Sequence, residues 1–86
     1  MPLICLINRG SIRVYLYAND HGVPHIHVRY RNGWTVVAIS DGSILAGDLR
    51  GRPRRTVLAW VERRRDVLLV AWEQMRQGGH PGYIDE

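Results

Sequence analysis

The sequence predicts an α+β domain in which an antiparallel β-meander of four to five strands packs on one long C-terminal α-helix. Three observations lead to this fold class. The dipeptides Asn32-Gly33 and Asp41-Gly42 are typical of the tight turns that join antiparallel strands. Apolar and polar residues alternate around these turns, as they do in strands with one buried side. Downstream of Pro53, the apolar residues instead recur at the three- and four-residue spacing of a helix.

Residues that favour turns bound each predicted element. The first apolar run ends before Asn8-Arg9-Gly10, and a clean alternation begins at Ile12. Two segments flank Asn32-Gly33, Pro53 suits the first helical position, and Gly78-Gly79 ends the helical pattern. We therefore expect strands at about residues 3–7, 12–18, 25–31, 34–40 and 43–48, a helix at about 53–77 and a short tail at 78–86, all in a single domain.

The positions of the two turns fix the expected register and the two faces of the sheet. Around the first turn Tyr30 lies opposite Thr35, and around the second Ala38 lies opposite Leu45. One face is then apolar and requires a cover, which the helix supplies, and the tail is expected to dock on the body through its own apolar residues. The sheet residues of this core are Ile12, Val14, Leu16, Ile26, Val28, Val37, Ile39 and Ile44. The helix residues that face them are Val57, Val61, Leu68, Trp72 and Met75, with Leu58 and Ala71 at the edges, and Tyr83 and Ile84 anchor the tail.

The composition limits the class of protein. The chain has 86 residues, of which 45% are hydrophobic and 23% charged, and this predicts one globular domain rather than a disordered polymer. Its 12 basic residues are all arginine, and the net charge is +4. Guanidinium groups bind phosphates through paired hydrogen bonds, so nucleic acid is a candidate partner. A GC-rich coding sequence, which favours arginine codons, is the alternative explanation for the lack of lysine.

The single cysteine, Cys5, lies in the first apolar run. An intramolecular disulfide is therefore impossible, a reducing cytosol is the simplest setting, and we expect a buried and unreactive thiol. The same run is far shorter than the roughly 20 apolar residues of a membrane span and lacks the flanks of a signal peptide. We expect a cytoplasmic protein without membrane contact.

The second face of the predicted sheet combines basic, aromatic and apolar side chains. His25 and His27 alternate with Ile26, so both imidazoles are expected to point to this face. Arginine and aromatic side chains on an exposed sheet are typical of modules that hold RNA. Its apolar members favour a partner chain or self-association across the same surface. The residues predicted on this face are Arg13, Tyr15, Tyr17, His25, His27, Arg29 and Arg31, next to Trp34, Val36, Ala38 and Leu45.

Two functions of different classes fit this arrangement. In a metal-independent ribonuclease, His27 or His25 would act as general base on a ribose 2′-hydroxyl, while Arg29 or Arg13 would stabilise the phosphorane charge. In a non-enzymatic module, the same face would bind RNA or a partner protein, with the histidines in a polar rim. The sequence leaves both interpretations open.

The loop before the third strand adds further candidates. Asp20 and His21 join the expected RNA- or partner-binding residues, or one of them would complete a zinc site with His25 and His27. A His-x-His pair is a weak signal for a metal, so we expect no metal and no other cofactor. Alternatively, His21 and His25 simply brace the turn that ends at Pro24.

Several segments, taken in order, carry a resemblance to a known family. They are Ile12-Arg13-Val14-Tyr15-Leu16-Tyr17, then Asp20-His21 with Pro24-His25-Ile26-His27-Val28, then Gly42-Ser43-Ile44-Leu45-Ala46-Gly47-Asp48-Leu49, and Trp60 and Trp72 in the helix. With this combination the chain resembles the bacterial proteins of domain of unknown function 4160. Val23 and Ile26 depart from the proline and the aromatic residue that are usual there. The resemblance implies one half of a small toxin-antitoxin-like pair, with a small partner protein encoded nearby.

Overall fold

The structure is a computed structural model that describes residues 3–17 and 22–86. Within these residues, each strand pairs antiparallel with its neighbour in chain order, and one long helix follows the sheet. The predicted α+β class, a meander followed by a C-terminal helix, is therefore confirmed. The elements are β1 (Leu3–Ile7), β2 (Ile12–Tyr15), β3 (His25–Tyr30), β4 (Gly33–Ala38), β5 (Ile44–Ala46) and α1 (Gly51–Arg76).

The hairpin between β3 and β4 turns at Arg31-Asn32, one residue earlier than the sequence predicted. Tyr30 pairs with Gly33, so the predicted pairing of Tyr30 with Thr35 is wrong by two residues. Side chains along a strand change face with a period of two, and a shift of two therefore keeps every side chain on its predicted face. The register was wrong, but the assignment of residues to the two faces was right for this hairpin.

The observed register has a strained turn and a contact across the hairpin. Arg31 adopts the left-handed backbone conformation, with φ at 55°, which costs about 1 kcal/mol for a residue with a side chain. The shift places Arg29 opposite Trp34, and the guanidinium carbon of Arg29 lies 5.1 Å from the centroid of the Trp34 ring. A cation–π contact of this kind contributes about 0.5–1 kcal/mol at a partly exposed site. The contact therefore offsets part of the strain at Arg31.

The connection between β4 and β5 also departs from the expected register. Ile44 lies opposite Val37, but Ala46 lies opposite Val36, which leaves Leu45 as the extra residue of a β-bulge. A bulge moves every later residue of the strand to the other face. Ala46 consequently lies on the same side as Val36 and is exposed.

A wider loop replaces the predicted two-residue turn at this connection. Ala38, the predicted partner of Leu45, instead closes the loop by donating its N–H to the carbonyl of Ser43 at 2.9 Å. Gly47 follows the bulge with φ at 93°, and a Cβ atom there would lie 2.3 Å from the carbonyl oxygen of Trp34. The close approach of these two backbones requires glycine and holds β5 against β4.

The inner face, defined as the sheet face that packs on α1, is closed to solvent. The predicted sheet residues of this face are all buried except Ile44, which is half-buried. Burial of apolar surface contributes about 25 cal/mol per Å² and is the main source of stability in a chain of this size. The core also includes Ile4, Cys5 and Ile7 from β1, and Val57, Trp60, Val61, Leu68, Ala71, Trp72 and Met75 from α1.

Helix α1 contributes one large core residue that the predicted stripe omitted. Trp60 is fully buried, and its Nε1 atom donates to the carbonyl of Asp85 at 3.1 Å. The helix deviates from helical geometry at Arg64, with φ at −109° and ψ at 15°, so one straight stripe does not describe its buried side. No helix in the described part of the chain is both long enough and apolar enough to cross a membrane.

The C-terminal tail covers the outer edge of β1. Ile84 donates its N–H to the carbonyl of Ile4 at 2.6 Å, and Leu6 donates its N–H to the Tyr83 hydroxyl at 2.8 Å. The predicted docking of the tail through Tyr83 and Ile84 is thus confirmed. An uncovered edge strand is a template for unwanted strand pairing, and the tail removes part of that template.

Cys5 is buried, as the sequence predicted. Burial raises the pKa of its thiol to about 11, and the carboxylates of Glu86 and Asp85 act in the same direction. Since the thiolate is the reactive species, this thiol is unreactive near neutral pH.

Candidate nucleic-acid interface on the outer sheet face

The outer face is the side of the sheet turned away from α1. Antiparallel partners share a face, so side chains on this face form rows that run across β2, β3 and β4. Predicted site residues that are distant in sequence become neighbours in these rows. The two rows are Arg13–Arg29–Trp34 and Tyr15–His27–Val36.

His25 and His27 form a contacting pair at the start of β3. Their ring centroids are 5.2 Å apart, and the ring planes meet at 77°. The Nδ1 atom of His25 lies 2.7 Å from the carbonyl oxygen of Val23. Because a carbonyl only accepts hydrogen bonds, Nδ1 carries the proton in the neutral ring, and Nε2 is the proton acceptor.

The ring of His25 also contacts the helix, which the sequence did not predict. Its centroid lies 4.9 Å from the ring of Trp72, a core residue that is 4% exposed. His25 is the first residue of β3, so this contact joins the beginning of that strand to α1. His25 therefore occupies the boundary between the outer face and the core rather than the open surface.

His27 is held by aromatic neighbours. The edge of its ring meets Tyr17 at a centroid distance of 4.6 Å and an angle of 79°. Its Nδ1 atom is buried. This nitrogen is therefore closed to a ligand.

The tyrosines and Trp34 form one aromatic cluster, but they differ in exposure. The ring of Tyr15 lies 6.2 Å from that of Tyr17 and 5.4 Å from that of Trp34. Tyr15 is 8% exposed, whereas Trp34 is 39% exposed. Trp34 therefore exposes part of its ring at the outer face, and the Tyr15 ring contacts it at an angle of 53°.

The three arginines of the predicted site lie together at the hairpin end of the face. Arg13 is directly opposite Arg29 in the sheet, and Arg31 follows in the turn. The guanidinium of Arg29 covers Trp34, and that of Arg31 lies 5.2 Å from the ring centroid of Tyr30. No carboxylate of residues 3–17 or 22–86 lies within ion-pair distance of these arginines. Their positive charge is therefore not balanced by those parts of the protein.

The β5 side of the outer face is apolar. Leu45 is 49% exposed, Ala46 is exposed and Val36 is half-buried, next to Trp34 in β4. The face thus has a basic and aromatic half over β2 and β3 and an apolar half over β4 and β5.

Two predicted site residues, Asp20 and His21, lie outside the described residues. Among the residues that the structure does describe, no group of three His, Cys, Asp or Glu side chains is arranged to hold a metal ion. The remaining predicted residues are brought together, although Arg31 lies at the hairpin end and His25 at the opposite end of β3.

Three neighbours of the site were not predicted. Gly10 and Ser11 line a cleft with the arginines, and Trp72 contacts His25. A pattern of strands and turns identifies which side chains share a face, but it does not show which loop or helix residue borders that face. No signal in the sequence distinguishes these three from other turn or core residues.

A family model described as Domain of unknown function (DUF4160) matches residues 11–73. The match begins just before β2 and ends within α1, so it includes the outer face and most of the core. The chain belongs to this family. No match to the chain is found among curated proteins or among solved structures.

Proposed function

We propose that this member of the DUF4160 family is an RNA-binding component of a bacterial, cytoplasmic toxin-antitoxin-like pair. Its outer face would hold single-stranded RNA, and its partner would be a small protein encoded nearby. The observation that carries the RNA-binding proposal is the group of three arginines, without a carboxylate beside them in the described chain, next to the exposed ring of Trp34.

The electrostatic part of the argument concerns Arg13 and Arg29. Like charges directly opposite each other in an antiparallel sheet are destabilising. A phosphate group between them removes that repulsion and accepts two parallel hydrogen bonds from each guanidinium. The net charge of +4 attracts a polyanion to the molecule from a distance.

The stacking part of the argument concerns Trp34. Its ring is partly exposed, and the guanidinium of Arg29 already lies over it. An unpaired base would stack on the part of the ring that Arg29 leaves uncovered or on the guanidinium itself, and stacking of one base on an aromatic side chain contributes about 1–3 kcal/mol. Double-stranded RNA hides its bases, so the arrangement favours single strands.

Fluorescence anisotropy with a short labelled single-stranded RNA tests this proposal. We expect Trp34→Ala to weaken binding roughly tenfold, which corresponds to the loss of one stacked base. Arg29→Gln should weaken binding and reduce the salt dependence of log K by about 0.7, because one phosphate contact is lost. Arg63→Gln is the matched control, since it removes the same charge from an exposed position on α1. Absence of binding at low salt, or equal losses in all three variants, would contradict the proposal.

A second candidate function, a metal-independent ribonuclease, is favoured by the contact between His25 and His27. One imidazole would take the proton of a ribose 2′-hydroxyl as its oxygen attacks the adjacent phosphorus, and the other would protonate the departing 5′-oxygen. Arg29, two residues along the same face, would stabilise the charge on the phosphorane oxygens. The products would be a 2′,3′-cyclic phosphate and a free 5′-hydroxyl.

Cleavage of a labelled RNA in EDTA tests the ribonuclease. We expect His27→Ala and His25→Ala each to abolish cleavage, while both variants still bind the RNA. A 2′-deoxy residue at the cleaved position should block the reaction, since the nucleophile is then missing. His80→Ala, which changes an exposed histidine of the tail, serves as control. If purified protein leaves RNA intact but still binds it, the ribonuclease is ruled out and RNA binding remains.

The apolar half of the outer face supports a proposal of self-association. Leu45 and Ala46 lie on the edge strand β5, where a second copy of the chain would bury them. We expect native mass spectrometry to show a dimer that Leu45→Asp converts to a monomer. Val70→Asp, at a 59% exposed position on α1, should leave the mass unchanged. A monomeric parent protein would contradict self-association.

A further inference from the structure

We infer that a cleft at the hairpin end of the outer face, lined by Arg13, Arg29 and Arg31, is a binding site for a terminal phosphomonoester. Within the proposed function, on which this inference rests in part, that group would be the phosphorylated end of an RNA strand. A mononucleotide or a free phosphate ion presents the same chemistry and would use the same groups.

The cleft is a cavity of about 310 Å³ that is open on one side. Two of its arginines, Arg13 and Arg29, are cross-strand partners in β2 and β3, and Arg31 extends the group into the following turn. Gly10 and Ser11, from the turn between β1 and β2, form the rest of the lining. No carboxylate is among these lining residues, so the cleft is bordered by three basic residues and no acidic one.

Aromatic rings hold two of the three guanidinium groups in place. Arg29 lies over Trp34 at 5.1 Å, and Arg31 lies over Tyr30 at 5.2 Å. A guanidinium that is held by such a contact loses less conformational entropy when it binds an anion. The cation–π contacts therefore prepare the site before the ligand arrives.

Two turns border the cleft, and both contain residues in the left-handed backbone conformation. Arg31 has φ at 55°, as the first position of a tight two-residue hairpin turn requires. Asn8 and Arg9 in the turn between β1 and β2 have φ at 52° and 58°. The turn geometry therefore fixes the position of Arg31 beside Arg29 in the chain.

Positive charge continues beyond the cleft. A neighbouring cavity of about 460 Å³ shares Ser11 and Arg31 with the first and adds Arg52 and Pro53, at the start of α1. The first turn of α1 contains no acidic residue. Arg52 thus adds a fourth positive charge on this side of the cleft.

The number of charges favours a monoester over an internal phosphodiester. A phosphomonoester carries about 1.5 to 2 negative charges at pH 7 and three terminal oxygens, as phosphorylated side chains do. An internal phosphodiester carries one charge and two such oxygens. Three forked guanidinium groups are matched by three oxygens, because each fork forms two parallel hydrogen bonds with a pair of oxygens.

Matched oligonucleotides test the inference. One single-stranded RNA with an internal fluorophore is prepared with a 5′-phosphate, with a 3′-phosphate and with hydroxyls at both ends. We expect one phosphorylated form to bind about tenfold more tightly than the hydroxyl form, which is the effect of roughly one charge-assisted hydrogen-bond pair. Arg31→Gln should weaken all forms and bring this ratio close to 1, and Arg63→Gln should leave the ratio unchanged. Circular dichroism verifies folding, and Arg13→Gln replaces Arg31→Gln if the turn variant does not fold.

A second arm identifies the source of the phosphate group. Inorganic phosphate and adenosine monophosphate are added without RNA, and the thermal unfolding temperature is compared with that in chloride at equal ionic strength. Equal binding of all three RNA forms overturns the terminal-phosphate site and leaves RNA binding standing. Failure of every RNA to bind, with stabilisation by phosphate that Arg31→Gln abolishes, supports the site and removes the RNA proposal. If neither RNA nor phosphate binds, both proposals fail.

Discussion

The inner and outer faces of the sheet are built by the same strands but have opposite properties. In β3, Ile26 and Val28 are fully buried against α1, while His25, His27 and Arg29 alternate with them and are half-exposed. Apolar burial on the inner face supplies the stability of the domain. The outer face carries charges and rings, and its exposed members add little to that stability. Because side chains alternate between the two faces along each strand, the same strands supply both the buried core and the candidate site.

The test with the largest expected effect compares a tryptophan of the buried core with a tryptophan of the outer face. Trp60→Ala removes a fully buried ring and its hydrogen bond to Asp85, and we expect a loss of about 3–5 kcal/mol in the free energy of unfolding. Trp34→Ala removes a 39% exposed ring, and we expect a loss of about 1 kcal/mol from its contacts with Tyr15 and Arg29. Urea unfolding followed by circular dichroism measures both values.

A loss of about 3–5 kcal/mol approaches the whole stability of a small domain. If Trp60→Ala does not fold, Trp60→Phe retains part of the ring and should give a smaller loss in the same direction. Equal losses of unfolding free energy for Trp60→Ala and Trp34→Ala would show that contacts on the outer face stabilise the domain as much as the core does.

The second test concerns the close approach of the Gly47 and Trp34 backbones beside the outer face. Gly47→Ala would place a Cβ atom 2.3 Å from the Trp34 carbonyl at a φ of 93°, and we expect a loss of about 3 kcal/mol from overlap and strain together. Gly51→Ala is the matched control, since φ is 63° there but no atom lies within 4 Å of the added carbon. Strain alone should then cost about 1 kcal/mol. Thermal or urea unfolding of both variants checks this difference, and equal losses would contradict it.

The sequence predicted the faces better than it predicted the pairing. Turn residues suggested Asn32-Gly33 as the centre of the first hairpin, but the chain turns one residue earlier. Because the resulting shift is two residues, the residues of this hairpin stay on the faces that were predicted for them. The bulge at Leu45 has a different effect, because one extra residue moves the residues that follow it to the other face of the sheet. The alternation of apolar and polar residues thus predicts the face of a side chain more reliably than turn residues predict the register of the strands.

The candidate site was predicted as a set of residues but not as a set of contacts. Alternation placed His27, Arg29 and Trp34 on one face, and the structure has them in adjacent positions. The contact between His25 and Trp72 depends on the length and direction of α1 relative to the sheet. That relation is a property of packing between layers, which a periodic pattern does not encode.

The third test extends the comparison from the faces to an edge of the sheet. Tyr83→Phe removes the hydroxyl that accepts the N–H of Leu6, and we expect a loss of up to about 1 kcal/mol, because Leu6 is exposed enough for water to replace the bond. Amide hydrogen exchange should become faster at Leu6 and remain unchanged at Val28, in the centre of the sheet. Unchanged exchange at Leu6 would show that the tail does not protect this edge.

The smallest expected effect comes from ionisation, because the inner face is held by apolar contacts. The N–H of Ser43 donates to the Asp41 carboxylate at 2.9 Å and lowers the pKa of Asp41 below its usual value. A carboxyl group whose pKa is lower in the folded than in the unfolded state stabilises the fold above the unfolded pKa of about 3.9. This contribution is lost as the pH falls through the folded pKa.

We therefore expect the urea midpoint of the parent protein to fall slightly between pH 5 and pH 2.5 relative to that of Asp41→Asn. The asparagine variant keeps an acceptor for the Ser43 N–H but does not titrate, so its midpoint should lack this component of the pH dependence. Nuclear magnetic resonance titration of the Asp41 carboxyl gives the folded pKa directly. Because Asp41 is fully exposed, a large difference between the two proteins would mean that charges, and not the packing of the inner face, control the stability of this domain.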